Sequence, residues 1–192
     1  MRLFPGLFLL LLALAAVGAT SPSDPARWPG PNPAAGVMGL HWFEPNMGQA
    51  DGDVRFLSRG DGIRVGVSAD CLHLVSRTPG GADQVRLRLL GANSSAQVRG
   101  EHPLRGHANC LLGNDPARWR RRVPLYRQVR AESVYPGIDL VCYRGGAGLE
   151  YDFQVAPGAD PGQIRLACEG AARVETAGQE LVFHTRYGAF RQ

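Results

Sequence analysis

From residue 63 onward, the dominant period of apolar side chains is two residues, which is the spacing of a β-strand with one buried face. In the segment LEYDFQV, residues 149–155, aliphatic and aromatic residues alternate with acids and an amide. The segments IRVGVS, residues 63–68, and QVRLRLL, residues 84–90, show the same alternation. We predict a strand in each of these segments, and further short strands in residues 54–58, 71–76, 125–132, 138–143, 164–169, 181–184 and 187–191.

Glycine and proline separate nearly all of these segments. The sequences RGDG, TPGG, RGGAG, APGADPG and TAGQ supply glycines, which tolerate positive φ, and prolines, which preset φ. The pattern shows no amphipathic helix of useful length and no internal repeat of fixed period. We therefore predict an all-β fold, which is an antiparallel β-sandwich or an open barrel of many short strands.

The amino-terminal residues have the form of a secretory signal peptide. A positively charged start precedes an apolar run over residues 7–17, and small residues mark a cleavage point after Ala19. The run is shorter than the ~20 residues that span a bilayer. We predict a signal peptide in residues 1–19, a Pro/Gly-rich linker in residues 20–37 and a single all-β domain in residues 38–192. The mature chain is expected to be exported (secreted, periplasmic or on the cell surface) and to have no membrane span.

The basic residues are all arginines, 21 in number, and the formal net charge is +4. The absence of lysine excludes a Walker-type phosphate loop and Schiff-base catalysis, because both need a lysine amine. The densest basic run, ARWRRRVP in residues 117–124, is typical of a solvated loop and is also suited to contact phosphates or an acidic polysaccharide. Because an exported chain rarely meets nucleic acid, we expect no nucleic-acid partner.

Four cysteines, Cys71, Cys110, Cys142 and Cys168, lie far apart in the sequence. They include no C-x-x-C pair and no histidine lies at ligand spacing, so we expect no metal and no cofactor. An even number of cysteines in an exported chain permits two disulfides, in three connectivities. Each cysteine also lies in a short apolar run, where a free thiol packs as a small hydrophobic side chain. The sequence is compatible with both states.

Catalytic candidates are few. Glu44, Glu150 and Asp152 are the carboxylates that a glycan hydrolase would need as acid and base, but such a pair must lie about 5 to 10 Å apart across a cleft. Ser68 lacks the flanking glycine of a G-x-S-x-G nucleophile motif, and the five histidines show no metal-ligand spacing. We therefore predict that the protein is not an enzyme.

Six segments in register resemble one protein family: FEPNMGQADGDVRFLSRGDG, LLGAN, NCLLGNDPARWRRRVPLYRQVR, VYPGIDLVCYRG, LEYDFQVAPGADPGQIRL and EGA. The family is an uncharacterised domain of large exported bacterial proteins, in which it precedes β-propeller repeats of the SBBP type. The resemblance covers residues 43–192 and implies an all-β module, an exported location and no established reaction. Family members continue beyond the position of Gln192, so the chain is expected to be either a fragment of a longer protein or a truncated, stand-alone version.

The polar residues of these family motifs are expected to support the fold, because side chains in turns and at the start of a sheet can satisfy backbone donors and acceptors. They are Glu44, Asn46, Gln49, Asn109, Asn114, Asp115, Trp119, Asp139, Glu150 and Asp152.

The leading hypothesis for function is a noncatalytic module for assembly or recognition, whose partners are other β modules of the same polypeptide or surface glycans. A carbohydrate-binding module is the alternative, and a glycan hydrolase is the third class. The aromatic residues that would stack on sugar rings are Trp42, Trp119, Tyr126 and Tyr135.

Overall fold

The computed structural model describes most of the predicted domain and little of the chain before it. The predicted signal peptide, apart from residues 15 and 16, and the predicted linker lie outside the described residues. The described residues are 15–16, 42–50, 52–60, 63–78, 80–111, 113–145, 149–178 and 180–191.

In these residues the chain is built almost wholly from β-strands. The strands are β1 (Ala15–Ala16), β2 (Phe43–Pro45), β3 (Phe56–Gly60), β4 (Ile63–Val67), β5 (Cys71–Thr78), β6 (Gly81–Leu89), β7 (Val98–Cys110), β8 (Arg120–Tyr135), β9 (Ile138–Arg144), β10 (Leu149–Val155), β11 (Leu166–Glu169), β12 (Arg173–Ala177), β13 (Glu180–His184) and β14 (Ala189–Arg191). Two single-turn 3-10 helices, Pro116–Arg118 and Pro161–Gln163, each follow an aspartate that caps the turn.

Eleven of these strands form one sheet that is strongly curled into a half-barrel. Its order is β1-β11-β6-β5-β4-β3-β2-β8-β9-β10, and β7 pairs with β8 off this path. The pairing of β1 with β11 is parallel, and the other pairings are antiparallel. Strands β12, β13 and β14 form a second, antiparallel sheet. The all-β prediction is confirmed, in the form of an open, curled sheet.

The core is formed by alternate apolar positions of the curled sheet. In β10, Leu149, Tyr151 and Phe153 pack against it while the residues between them are exposed, as the alternation predicts. Phe183 and Phe190 from the small sheet are buried in the same apolar cluster. Burying a phenylalanine contributes about 1.5–3 kcal/mol. These two side chains therefore attach the small sheet to the half-barrel.

The strand predicted in residues 149–155 coincides with β10, whereas the sequence does not predict β7. The sequence of β7, VRGEHPLRGHANC, includes two glycines and a proline, lacks a clear alternation and is largely exposed. It is a strand because it pairs along most of its length with β8, whose buried positions alternate well. Strands β2 and β12 are missed too, since three and five residues are too few to show a period.

Candidate functional site

The first family motif forms the loop between β2 and β3, and the side chain of Asn46 holds this loop closed. Its Nδ2 donates hydrogen bonds to the carbonyl oxygens of Ala50 and Val54, both at 2.9 Å. Its Oδ1 accepts hydrogen bonds from the backbone N–H groups of Gly48 at 3.0 Å and Ala50 at 3.1 Å. One amide side chain thus supplies the partners that a neighbouring strand would otherwise give to this backbone.

Gln49 and Arg120 attach the same loop to its surroundings. Gln49 is buried, its Nε2 donates to the carbonyl of Pro45 at 3.0 Å and its Oε1 accepts from the N–H of Met47. Arg120, the first residue of β8, donates from Nε to the carbonyl of Met47 and from Nη1 to the carbonyl of Ala117 at 3.0 Å. Arg120 and Met47 are 73 residues apart in the sequence, so this guanidinium group joins two family motifs that are distant in the chain.

Within the third family segment, the residues GNDPARW, 113–119, form the turn before β8. Asp115 Oδ1 accepts a hydrogen bond from the backbone N–H two residues later at 3.0 Å, and the indole N–H of Trp119 donates to the carbonyl of Gly113 at 3.1 Å. The guanidinium of Arg121 lies 5.3 Å from the centre of the Trp119 ring, within the range of a cation–π contact. Asn114 is exposed and makes no side-chain hydrogen bond with the described residues.

Two further motif residues, Asn109 and Asp139, support irregular points of the sheet. Arg122 and Ser133 both have positive φ, 55° and 51°, and both lie at register shifts of β8. Asn109 Oδ1 accepts from the N–H of Arg122 at 3.0 Å, and Asp139 Oδ1 accepts from the N–H of Ser133 at 2.8 Å. Each side chain satisfies an amide that the β-bulge removes from the ladder.

A network of charged and polar side chains around Arg130 covers the surface of β7, β8, β9 and β10. The Nε of Arg130 donates to Glu101 Oε1 at 2.9 Å and its Nη1 donates to Asp139 Oδ2 at 3.0 Å and to Gln154 Oε1 at 2.7 Å. Desolvation acts to raise the pKa of Glu101, but the hydrogen bonds from Arg130 and Gln128 outweigh it and hold that pKa below its usual value. These opposite charges satisfy each other, which is typical of a structural surface network.

Of the carboxylates considered for glycan hydrolysis, Glu44 lies apart from the other two. Glu44 in β2 is 4% exposed, whereas Glu150 and Asp152 lie on the exposed side of β10. Three inter-strand steps separate β2 from β10, a backbone distance of about 14 Å. Asp152 Oδ2 instead accepts a hydrogen bond from the hydroxyl of Tyr143 at 2.9 Å. Glu150 and Asp152 lie two residues apart on the same exposed face of one strand, not on opposite sides of a cleft.

A serine and a histidine that the sequence does not pair lie together at the β4–β5 turn. Ser68 Oγ is 3.1 Å from His73 Nε2, and Asp53 Oδ1 is 3.8 Å from the same nitrogen. A catalytic triad uses both ring nitrogens and an accessible nucleophile, whereas Ser68 is 1% exposed. Burial lowers the pKa of His73 although Asp53 acts in the opposite direction, so the ring is neutral at pH 7. Ser68 and His73 form a buried hydrogen-bonded pair, and their only sequence signal is that they lie five residues apart in two consecutive predicted strands.

All four cysteines are buried and none of them is disulfide-bonded in the structure, so neither of the two disulfides that the sequence permits is formed. Burial raises the pKa of Cys71 and of Cys142 to about 12, and it raises the pKa of Cys168 as well. These thiols are protonated at neutral pH and are therefore poor nucleophiles. Within the described ranges, no three or more His, Cys, Asp or Glu side chains are grouped to hold a metal ion.

Two of the four aromatic residues considered for sugar stacking are engaged in packing. Tyr135 is 4% exposed, and its hydroxyl donates to two backbone carbonyls. The ring of Tyr126 covers Gly100, where an added Cβ would lie 2.4 Å from the ring. Trp42 and Trp119 are half-buried. The structure does not collect these aromatic residues into one platform.

The fold and these contacts define an all-β domain whose polar motif residues support its own loops, bulges and surface. The chain belongs to the family described as a domain of unknown function (DUF7948), whose model matches residues 43–192. No curated protein and no solved structure matches the chain. In the part of the chain that the structure describes, no helix has the length and apolar character needed to cross a membrane.

Proposed function

We propose that this domain is a noncatalytic module of an exported or surface-attached bacterial protein, where it precedes β-propeller repeats and serves assembly or recognition. The observation that carries the proposal is that the polar side chains of the family motifs form hydrogen bonds with the protein's own backbone. Asn46, Gln49, Asn109, Asp115 and Asp139 all bond to the backbone of their own loops and bulges. Reactive groups must be free to meet a substrate, and these groups are engaged.

The export of the domain is supported by the signal-peptide pattern that ends at Ala19 and by the exported family that the motifs resemble. The association with propeller repeats is supported by that resemblance. Neither inference depends on the geometry of the half-barrel.

The test is the amino terminus and size of the native product. Cell, periplasmic and medium fractions are blotted with an antibody to a peptide of this chain, and the band is sequenced from its amino end. We expect a product outside the cytoplasm that begins at Thr20 and is much larger than 20.7 kDa. A cytoplasmic product that retains Met1 would refute export, and a mature product slightly below 20.7 kDa would refute the propeller in the same polypeptide.

The noncatalytic role has its own test. The purified chain is incubated with a panel of polysaccharides, and reducing ends are measured. We expect no release above the buffer control. Release that disappears in the Glu150→Gln variant would show that the domain is an enzyme.

A further inference from the structure

Positive charge is concentrated in the outer part of the β7–β8 hairpin. We call residues 103–127 the basic arm. It contains six arginines and one aspartate, a net charge of +5, whereas the whole chain carries +4. The rest of the molecule is therefore close to neutral, and the basic arm accounts for the basic character of the protein.

Five of the six arginines of the basic arm are exposed and lack acidic partners, and the sixth, Arg120, is half-buried. None of the five forms an ion pair within the described residues, and the only acid of the arm, Asp115, caps a turn. The five are Arg105, Arg118, Arg121, Arg122 and Arg127. Their charge is thus available to a partner.

Elsewhere among the described residues, five arginines are paired with carboxylates. Distances from guanidinium nitrogen to carboxylate oxygen in these pairs run from 2.7 Å to 3.9 Å. The paired arginines are Arg86, Arg88, Arg99, Arg130 and Arg173. Arg55, Arg165 and Arg186 are also exposed without an acidic partner in the part of the chain that the structure describes, but they lie far apart in the sequence, whereas the basic arm groups five such arginines.

The geometry of the arm fits a linear partner. Arg121 and Arg127 lie at the two ends of the first half of β8, about 20 Å apart at ~3.3 Å per residue. Charges spread along an extended hairpin suit a repeating anion better than one small ion. The planar guanidinium also binds carboxylate and sulfate groups with two parallel hydrogen bonds.

The aromatic residue of the arm does not offer a free stacking platform. Trp119 is held by the hydrogen bond from its indole N–H to Gly113, and Arg121 lies over its ring. Proteins that bind single-stranded nucleic acid stack the bases on exposed aromatic rings. This arm therefore lacks the feature that would favour a single strand.

We propose that the basic arm binds a linear acidic polysaccharide through its carboxylate or sulfate groups. The choice of polysaccharide over duplex DNA rests on the proposed export of the domain, because an exported module meets cell-surface and extracellular glycans. The arginine surface itself rests on the structure alone.

The test is binding of the purified full chain to fluorescently labelled dextran sulfate and polygalacturonate, with neutral dextran as the uncharged probe and duplex DNA as the competing polyanion. The test variant is Arg118→Gln/Arg121→Gln/Arg122→Gln. The matched control is Arg55→Gln/Arg165→Gln/Arg186→Gln, which removes the same charge at exposed, unpaired arginines outside the arm. Melting temperatures of both variants establish that each is folded.

We expect the chain to bind both acidic polysaccharides and to ignore neutral dextran. At ~0.1 M salt the arm variant should bind at least about tenfold more weakly, because three counterion-releasing contacts are lost, and its affinity should depend less steeply on salt. The control variant should lose less than about threefold, which reflects only long-range charge screened by salt.

Three outcomes would overturn the proposal: no binding to either acidic polysaccharide, equal losses in the two variants, or tighter binding of duplex DNA than of dextran sulfate. The sequencing of the native amino terminus separates this result from the proposed function. An exported product without polysaccharide binding refutes the basic arm alone, whereas a cytoplasmic product that prefers DNA refutes both proposals.

Discussion

The role of Asn46 gives the sharpest prediction about the fold. Its side chain makes four hydrogen bonds to the backbone of the loop between β2 and β3, of which three are part-buried and the fourth, to Gly48, is exposed. In Asn46→Ala all four are lost, and the freed backbone groups have no side chain to replace them. We expect a large loss of stability for a single residue of a loop.

The magnitude follows from the burial of these bonds. A buried hydrogen bond contributes about 1 kcal/mol net, and an exposed one contributes little because water replaces it. Three part-buried bonds therefore predict a decrease of about 2–3 kcal/mol in the free energy of unfolding. At about 2–4 °C per kcal/mol for a chain of this size, the melting temperature should fall by about 5–10 °C.

The assay is equilibrium unfolding in urea, followed by tryptophan fluorescence and circular dichroism. The matched control is Asn114→Ala, because Asn114 belongs to the third family segment but is exposed and makes no side-chain hydrogen bond with the described residues. We expect the control to stay within about 0.5 kcal/mol of the unmodified protein. Equal urea midpoints for the two variants would refute the assignment of Asn46 to loop support.

Three further predictions concern strain, thiols and pH. Ser133→Gly should raise the free energy of unfolding by about 0.5–1 kcal/mol, because Ser133 has φ of 51° and glycine adopts this conformation without strain; an unchanged urea midpoint would contradict this. The pKa values of Cys71 and Cys142 are about 12, so both thiols should resist iodoacetamide at pH 8 in the folded protein. Both should react when the protein is unfolded in the absence of a reductant, as measured by mass spectrometry. A cysteine that fails to react after unfolding would reveal a disulfide. Burial lowers the pKa of His73 in the folded protein, so as the pH falls below 6.5 the unfolded chain binds a proton at His73 before the folded protein does, and the free energy of unfolding should decrease. The His73→Gln variant should lack this part of the pH dependence. Identical plots of the free energy of unfolding against pH for the variant and the unmodified protein would argue against it.

Much of the fold is visible in the sequence where a strand has its own pattern. Residues 149–155 alternate between apolar and polar types, and the strand β10 follows those bounds because one face meets the core. The predicted strand in residues 54–58 begins two residues early, since β3 starts at Phe56. The polar strand β7 shows no such pattern, because its stability comes from the backbone hydrogen bonds that β8 supplies.

Among the candidate residues, contacts within a turn could be predicted from the sequence, whereas contacts between distant segments could not. The motif position of Asp115 and the proline after it predict a capped turn from local spacing, and the structure places a cap there. The contact of Arg120 with Met47 spans 73 residues, and no local pattern indicates it. Ser68 and His73 are adjacent only because the β4–β5 turn folds one strand back on the other.

By itself, the sequence determined the class of the domain, since alternation and turn chemistry act over a few residues and dictate extended backbone with tight reversals. It also determined the total charge and the absence of lysine chemistry. Only the tertiary structure decided which charges meet. Strand register brings Glu101 to Arg130 across 29 residues and leaves the arginines of the basic arm without acids, because register depends on pairing between distant segments.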